Sequence, residues 1–184
     1  ATTLALNTTA GVKVTDEVLN QATVTTANVA ASNGVIHVID KVLVPPGVLT
    51  VVQMAQANPG AFSSLVGAVV SADLATTLSG TGPFTVFAPT NTAFAAAPTG
   101  LTTEQLSTVL TYHVLGSQVL STAIPFGTPV TTVAGQDITI NAGTAPVIAT
   151  ITDTTATPAT ITAVDVRASN GVIHVIDKVL VPPG

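Results

Sequence analysis

The sequence predicts an α+β fold in which N-terminal helices pack on a mainly antiparallel, twisted sheet, preceded by a further sheet-forming piece. Three observations predict it. Apolar residues recur at three- and four-residue intervals between 48 and 115, which is the stripe of a helix with one buried face. From 129 onward they alternate instead, the period of a half-buried strand. The third is a repeat: residues 31–47 read ASNGVIHVIDKVLVPPG and return unchanged at 168–184, an offset of 137.

The repeat sets the organisation. ATVTTANVA at 22–30 faces ATITAVDVR at 159–167, so the likeness continues loosely upstream of the identical stretch. Residues 48–184 form one full period, and residues 1–47 match only its last third. A period this long is a tandem array of domains rather than a solenoid of short units. The expectation is a partial domain at 1–47, holding C-terminal strands only, and a complete domain at 48–184.

The elements follow in order. Val48, Val51, Val52 and Ala55 have helical spacing, and Asn58-Pro59 supplies an N-cap and a first-turn proline for the next helix. Phe62, Leu65, Val66 and Val69 stripe that helix, and Leu74–Leu78 is a short one ending at Ser79-Gly80. FTVFA at 84–88 is a strand stopped by Pro89, with Thr90 and Asn91 as turn or cap residues. Thr102-Thr103-Glu104-Gln105 fits a capping box ahead of Leu106, Val109, Leu110, His113 and Val114. The strands PVTTVA, DITIN, VIATIT, TITAVDV and VIHVIDKVLV close the period. Val172–Val181 and Val35–Val44 should be equivalent strands of two separate sheets, each covered on both faces and ended by a Pro-Pro pair. Asn170-Gly171 and Asn33-Gly34 should be tight turns with positive φ.

Composition excludes several functions. The chain has 184 residues, 4 Lys and Arg against 9 Asp and Glu, a net charge of −5 and 7% charged residues. A nucleic-acid binder needs clustered cations to neutralise phosphates, so that class is excluded. With 47% hydrophobic residues the chain is not a disordered one. No apolar run approaches the roughly 18–20 residues that cross a bilayer. The absence of cysteine excludes disulfides, thiolate metal sites and cysteine nucleophiles. No GxSxG, GxGxxG or P-loop pattern is present, and carboxylates are too sparse for paired acid–base work. No catalytic residue, metal site or cofactor is expected. His37 and His174 occupy equivalent positions in different copies, so they do not converge with His113 on a metal. His174 is expected to be a buried imidazole bonded to a backbone carbonyl, and Tyr112-His113 to anchor a helix to the sheet. A surface of Thr, Ser, Asn and Ala offers little charge repulsion, so copies can pack closely.

Three ordered motifs resemble the fasciclin domain family. Thr85-Val86-Phe87-Ala88-Pro89-Thr90-Asn91-Thr92-Ala93-Phe94 resembles its first signature, with Thr92 standing where the family usually has an acidic residue. Tyr112-His113 resembles the motif between the signatures, and Ala168–Asp177 the second signature. With VTTVAGQ at 130–136, the likeness runs over nearly all of 48–184. In residues 22–47 the second signature recurs, with Asn33, Gly34, His37 and Asp40 repeating Asn170, Gly171, His174 and Asp177. The resemblance implies a secreted or surface-attached module of adhesion and matrix-like assembly, without catalytic activity. Its partners would be copies of itself or other cell-surface or matrix proteins. The resemblance also assigns adhesive or structural roles to Thr85, Phe87, Pro89, Thr90, Asn91, Phe94, Tyr112, His113, Asn170, Gly171, His174 and Asp177. Some members bind apolar molecules such as carotenoids, which makes a ligand carrier the alternative. Residues 1–47 are expected to need completion, by another polypeptide or by upstream sequence, and Pro45-Pro46-Gly47 to act as a short stiff linker.

Overall fold

Alternating apolar and polar residues build two separate sheets in the structure, a computed structural model that describes residues 5–7 and 11–184. Asn7-Thr8-Thr9, which has the pattern of a glycosylation sequon, falls partly outside the described residues. The first sheet has four antiparallel strands in spatial order: β1 (Ala5–Asn7), β2 (Lys13–Thr15), β3 (Gln21–Ala31) and β4 (Gly34–Ile39).

The helices come next. Thr50 and Gln53 form a capping box that starts α1 (Val51–Ala57). Helix α2 (Pro59–Ser71) follows with proline in its first turn, then the single turn α3 (Ala75–Leu78). Strand β5 (Phe84–Pro89) leads into α4 (Asn91–Ala95), which Thr90 caps by accepting the Ala93 N–H at 3.3 Å. Helix α5 (Thr103–Tyr112) opens with the capping box read from Thr102 and Gln105. Then come β6 (Val114–Leu115), a 3₁₀ turn at Ser121–Ala123, β7 (Pro129–Thr131), β8 (Asp137–Ala142), β9 (Ala149–Thr152), β10 (Ala159–Ala168) and β11 (Gly171–Ile176). The second sheet runs β6-β5-β11-β10-β9-β8-β7. Only the β5–β11 pair is parallel, Phe84 facing Gly171 and Pro89 facing Ile176.

Side-chain alternation on β5 and β11 divides the core. Val86, Ala88, Ile173 and Val175 point to the helices and meet Val51, Phe62, Leu65, Val69 and Leu110. Phe87 and Ile176 point the other way, to Tyr112, Leu115, Ile138, Ile140, Ile151 and Ile161. A strand covered on both faces must be apolar throughout, and β11 is buried at all six positions.

Three expectations are corrected. β11 ends at Ile176 rather than Val181, because the Asp177 carboxylate takes the Thr160 N–H at 2.6 Å and the chain then bends. Neither Gly34 nor Gly171 takes a positive φ. And β4, with the same sequence as β11, is exposed: Val35 at 59%, Ile36 at 54% and Val38 at 45%. The helices that cover this strand's counterpart are already packed on the second sheet.

Candidate interaction site

Asn170 ties the second signature to the helices. Its Oδ1 accepts the Val51 N–H at the start of α1 (2.9 Å), and its Nδ2 donates to the carbonyls of Leu78 (2.9 Å) and Gly80 (2.8 Å). Gly171 is there for space rather than for φ. A Cβ at that position would lie 2.2 Å from the Phe84 carbonyl oxygen on β5, well inside contact distance.

His174 is bonded at both nitrogens. Nε2 donates to the Val119 carbonyl at 2.9 Å, Nδ1 accepts the Asp165 N–H at 3.3 Å, and the ring stacks on Phe87 with centroids 5.7 Å apart. Burial lowers its pKa. Thr85 donates to the Ser117 carbonyl (2.7 Å) and accepts the Val119 N–H (2.8 Å), holding the same segment. Tyr112 donates to the Asp137 carbonyl at 2.9 Å, and burial raises its pKa. His113 bonds the Val109 carbonyl through Nδ1 (2.7 Å) and accepts the Leu180 N–H at Nε2 (2.8 Å); burial pushes its pKa down to about 4. The helix-to-sheet anchor expected of this pair is therefore present.

Asn91 ties α4 to the flank of α2. From α4 its Oδ1 accepts the Ser64 N–H (2.9 Å) and the Ser63 hydroxyl (3.2 Å), while Nδ2 donates to the carbonyls of Pro59 and Gly60. Asn58 stands at the N-cap position of α2 but makes no side-chain cap bond there. Its Nδ2 donates instead to the Val18 carbonyl at 2.9 Å. Phe94 packs against the helix-side core, and Pro89 ends β5 opposite Ile176.

The first copy keeps the local part of this arrangement. Val24 faces Ile39, Val29 faces Ile36 and Ala31 faces Gly34, the register of Ile161–Ile176, Val166–Ile173 and Ala168–Gly171, with bulges at the same places. Asn28 and Asp165 share φ +59 in the second bulge. The Asp40 carboxylate takes the Thr23 N–H at 2.7 Å, as Asp177 takes that of Thr160, and this bond lowers the Asp40 pKa. Asn28 N–H reaches His37 Nδ1 at 3.4 Å, the counterpart of the Asp165–His174 bond. The non-local part is missing. A Cβ on Gly34 would meet nothing within 4 Å, and His37 lies exposed. Strand β4 thus presents an apolar face and an unpaired edge.

Sequence reasoning missed the contact between the two sheets. Asp16 accepts the N–H groups of Val18, Asn20 and Val44, folding residues 16–20 into a tight loop. Val18 is 2% exposed in the helix-side core, and Leu19 packs beside it at φ +62, which costs a non-glycine residue about 1–2 kcal/mol. Asn20 Nδ2 donates to the Ala57 carbonyl (2.8 Å), and Glu17 accepts the Arg167 N–H (2.7 Å). Gly47 N–H donates to the Arg167 carbonyl at 3.0 Å, so the linker is pinned as well. The available signal was the repeat itself. Glu17-Val18-Leu19-Asn20 stands where the second copy has Thr154-Thr155-Ala156-Thr157, and two apolar residues in a loop need a surface to bury them. At the matching place Asp153 bonds Thr155, Val181 N–H and Lys178; burial alone would raise its pKa, but these bonds hold it below the ordinary value.

Among the described residues, no group of His, Asp and Glu could hold a metal, and no helix is long and apolar enough to cross a membrane. The Fasciclin domain family model matches residues 1–45 and 60–182. The chain belongs to the fasciclin family. It is 42% identical over 143 residues to Protein sll1483 of Synechocystis, covering 73% of this chain and 74% of that one. It is 33% identical over 171 residues to human periostin, which covers 89% of this chain but only 19% of periostin. Among solved structures it resembles a FAS1 domain pair from the insect cell adhesion molecule Fasciclin I, with a TM-score of 0.67, 21% identity and coverage of 96% of this chain and 66% of that one. That likeness supports the fold: helices with a mostly antiparallel sheet.

Proposed function

We propose that this fasciclin chain is a non-enzymatic structural and adhesive protein of the cell surface or extracellular space. It is built of units in series, complete at 48–184 and represented by its sheet half at 1–47, and it works by assembling with copies of itself or with other surface proteins. One observation carries this. The signature residues of 48–184 spend their polar groups on internal bonds, whereas the same strand in the first copy leaves Ile36 and Val38 bare on one face and Val35 on the other. Bare apolar side chains along an open strand edge are a place where another polypeptide can pair.

Catalysis has little support. Ser121, Asp165 and His174 come together, but Ser121 Oγ donates to Asp165 Oδ2 (2.5 Å) and both His174 nitrogens are engaged with backbone. His174 is therefore not free to act as the base of a Ser–His pair. A carrier of apolar molecules needs a mostly apolar pocket of roughly 300–1,000 Å³. The two apolar cavities under the helices hold about 30 and 20 Å³. A wider cleft beside α4, about 340 Å³, is lined partly by Asp177 and Lys178, which an apolar pigment would desolvate.

Beads coated with the chain test the proposal. They should cluster with each other or settle on matrix-coated surfaces, with little sensitivity to salt because the patch is uncharged. Dispersed beads at every coating density, with no retention on any matrix surface, would refute it.

A further inference from the structure

The chain between β6 and β7 has to cross from one side of the second sheet to the other, since those two strands are its edges. It crosses without pairing as a strand. Among the described residues, every hydrogen bond that ties residues 117–126 to the sheet runs to one of three side chains. They are Thr85 on β5, His174 on β11 and Asp165 on β10, three neighbouring strands. Thr85 holds the Ser117 carbonyl and the Val119 N–H, and His174 Nε2 holds the Val119 carbonyl. The Asp165 carboxylate takes the Ser121 N–H (2.8 Å) and hydroxyl (2.5 Å). Backbone bonding to the sheet resumes at Gly127, whose N–H donates to the Ile140 carbonyl on β8 at 2.8 Å. Two apolar side chains anchor the segment: Ile124 is buried in the core of Phe87, Leu115 and Ile176, and Val119 packs against that core.

We propose that residues 117–126 are an acid-released strap over this core, with His174 as its latch. The Asp165 N–H fills Nδ1 of the ring, so the ring proton sits on Nε2 and is donated to Val119. A second proton must go on Nδ1, where it would face the Asp165 N–H. The ring then has two ways to find that proton an acceptor. It turns from the amide and breaks the Val119 bond, or it draws the Asp165 carboxylate off Ser121. Either move undoes a fastening of the strap. Asp165 is the charged group that acts on the ring, while Phe87, stacked on it from β5, and Val119 on the strap bring no charge. Burial holds the His174 pKa below its ordinary value, against smaller opposing effects of the Val119 bond and the Asp165 charge. Opening returns the ring to water, so protons favour the open strap. The strap is also the part that can yield alone. It hangs on side-chain bonds, whereas β11 is laddered to β5 and to β10.

Amide exchange of the 184-residue chain, followed by NMR and corrected for the intrinsic effect of pH, tests this at the bonded amides of Val119 and Ser121. Their protection should be lower than that of Ile173–Ile176 at every pH and insensitive to dilute urea, the mark of a local opening that exposes little surface. It should fall by about tenfold for each pH unit below about 6.5, and level off where the His174 ring signals titrate. His174→Gln should remove this acid step at Val119 and Ser121. Ser121→Ala takes away one bond from a half-buried side chain, so it should loosen the strap by roughly fivefold at neutral pH and keep the acid step. Strap amides that exchange at the rate of Ile173–Ile176 and speed up with urea would overturn the inference, because opening would then be global. So would an acid step that survives His174→Gln, or one that levels off with the His113 ring instead of the His174 ring.

Discussion

Mild acid should destabilise this chain through His113. The ring is fully buried, its Nδ1 on the Val109 carbonyl and its Nε2 accepting the Leu180 N–H, so it is the neutral tautomer with the proton on Nδ1. Protonating Nε2 would set two N–H donors against each other in a dry site. That is the physical content of a pKa near 4 against 6.5 in the unfolded chain. The sign follows. Between those values the unfolded state holds the extra proton, so stability is fully present above about pH 6.5 and falls as the pH drops toward 4. At 1.36 kcal/mol per pKa unit the loss is on the order of 3 kcal/mol across the window, and about 2 kcal/mol at pH 5. With a urea slope of about 2 kcal/mol/M, the midpoint should move down by about 1 M between pH 7.5 and pH 5. His174 is shifted the same way by burial and adds to the trend. His113→Gln separates the two. It should cost about 1–3 kcal/mol at pH 7.5, because the Leu180 N–H or the Val109 carbonyl loses its partner, and it should lose about 2 kcal/mol less than the parent on going to pH 5. Equal losses in parent and variant would show that His113 is not held neutral by its site.

Three further outcomes are expected. Gly171→Ala should destabilise the chain by about 1–3 kcal/mol in thermal or urea melting, since β5 and β11 must move apart to admit a Cβ that would lie 2.2 Å from Phe84 O. Asn91→Ala removes four bonds to Pro59, Gly60, Ser63 and Ser64 of α2 and should cost about 1–3 kcal/mol, read from the urea midpoint. Val18→Asp puts a charge into the helix-side core and should free the four-stranded sheet from α1 and α2, with limited proteolysis cutting near Pro45-Gly47 while the 48–184 part stays protected.

The parts of the fold that were legible in the sequence are those governed by local chemistry. The change of period near 129 marked where helices give way to strands, and Thr102 with Gln105 marked a helix start that the structure forms. What escaped was set at long range. Pro59 gave away the start of α2, but the Asn58 side chain expected to cap it turns to the Val18 carbonyl, and only the Asn58 backbone carbonyl takes the Ala61 and Phe62 N–H groups. The parallel pairing of β5 with β11 leaves no periodic trace, because a strand buried on both faces is simply apolar throughout. For the same reason Val35–Val38 and Val172–Val175 could not be told apart as bare and covered. Burial belongs to the partner, and the partner is not written in the strand.

The signature residues accordingly fall into two groups that the repeat separates cleanly. Asp177 with Thr160, and His174 Nδ1 with Asp165, shape the hairpin from within, and Asp40, Thr23, His37 and Asn28 reproduce those bonds in a strand pair with no core. Asn170, Gly171 and His174 Nε2 act between the sheet half and the helical half, and their counterparts Asn33, Gly34 and His37 Nε2 meet no such partner. The hairpin therefore holds its bulged, twisted form without the helical layer over it. A strand pair already in that shape loses little entropy when a partner covers it. Residues 16–20 add the complementary device. By burying Val18 and Leu19 under α1 and α2 they hold one end of the bare sheet against its neighbour, which fixes the direction in which β4 faces outward.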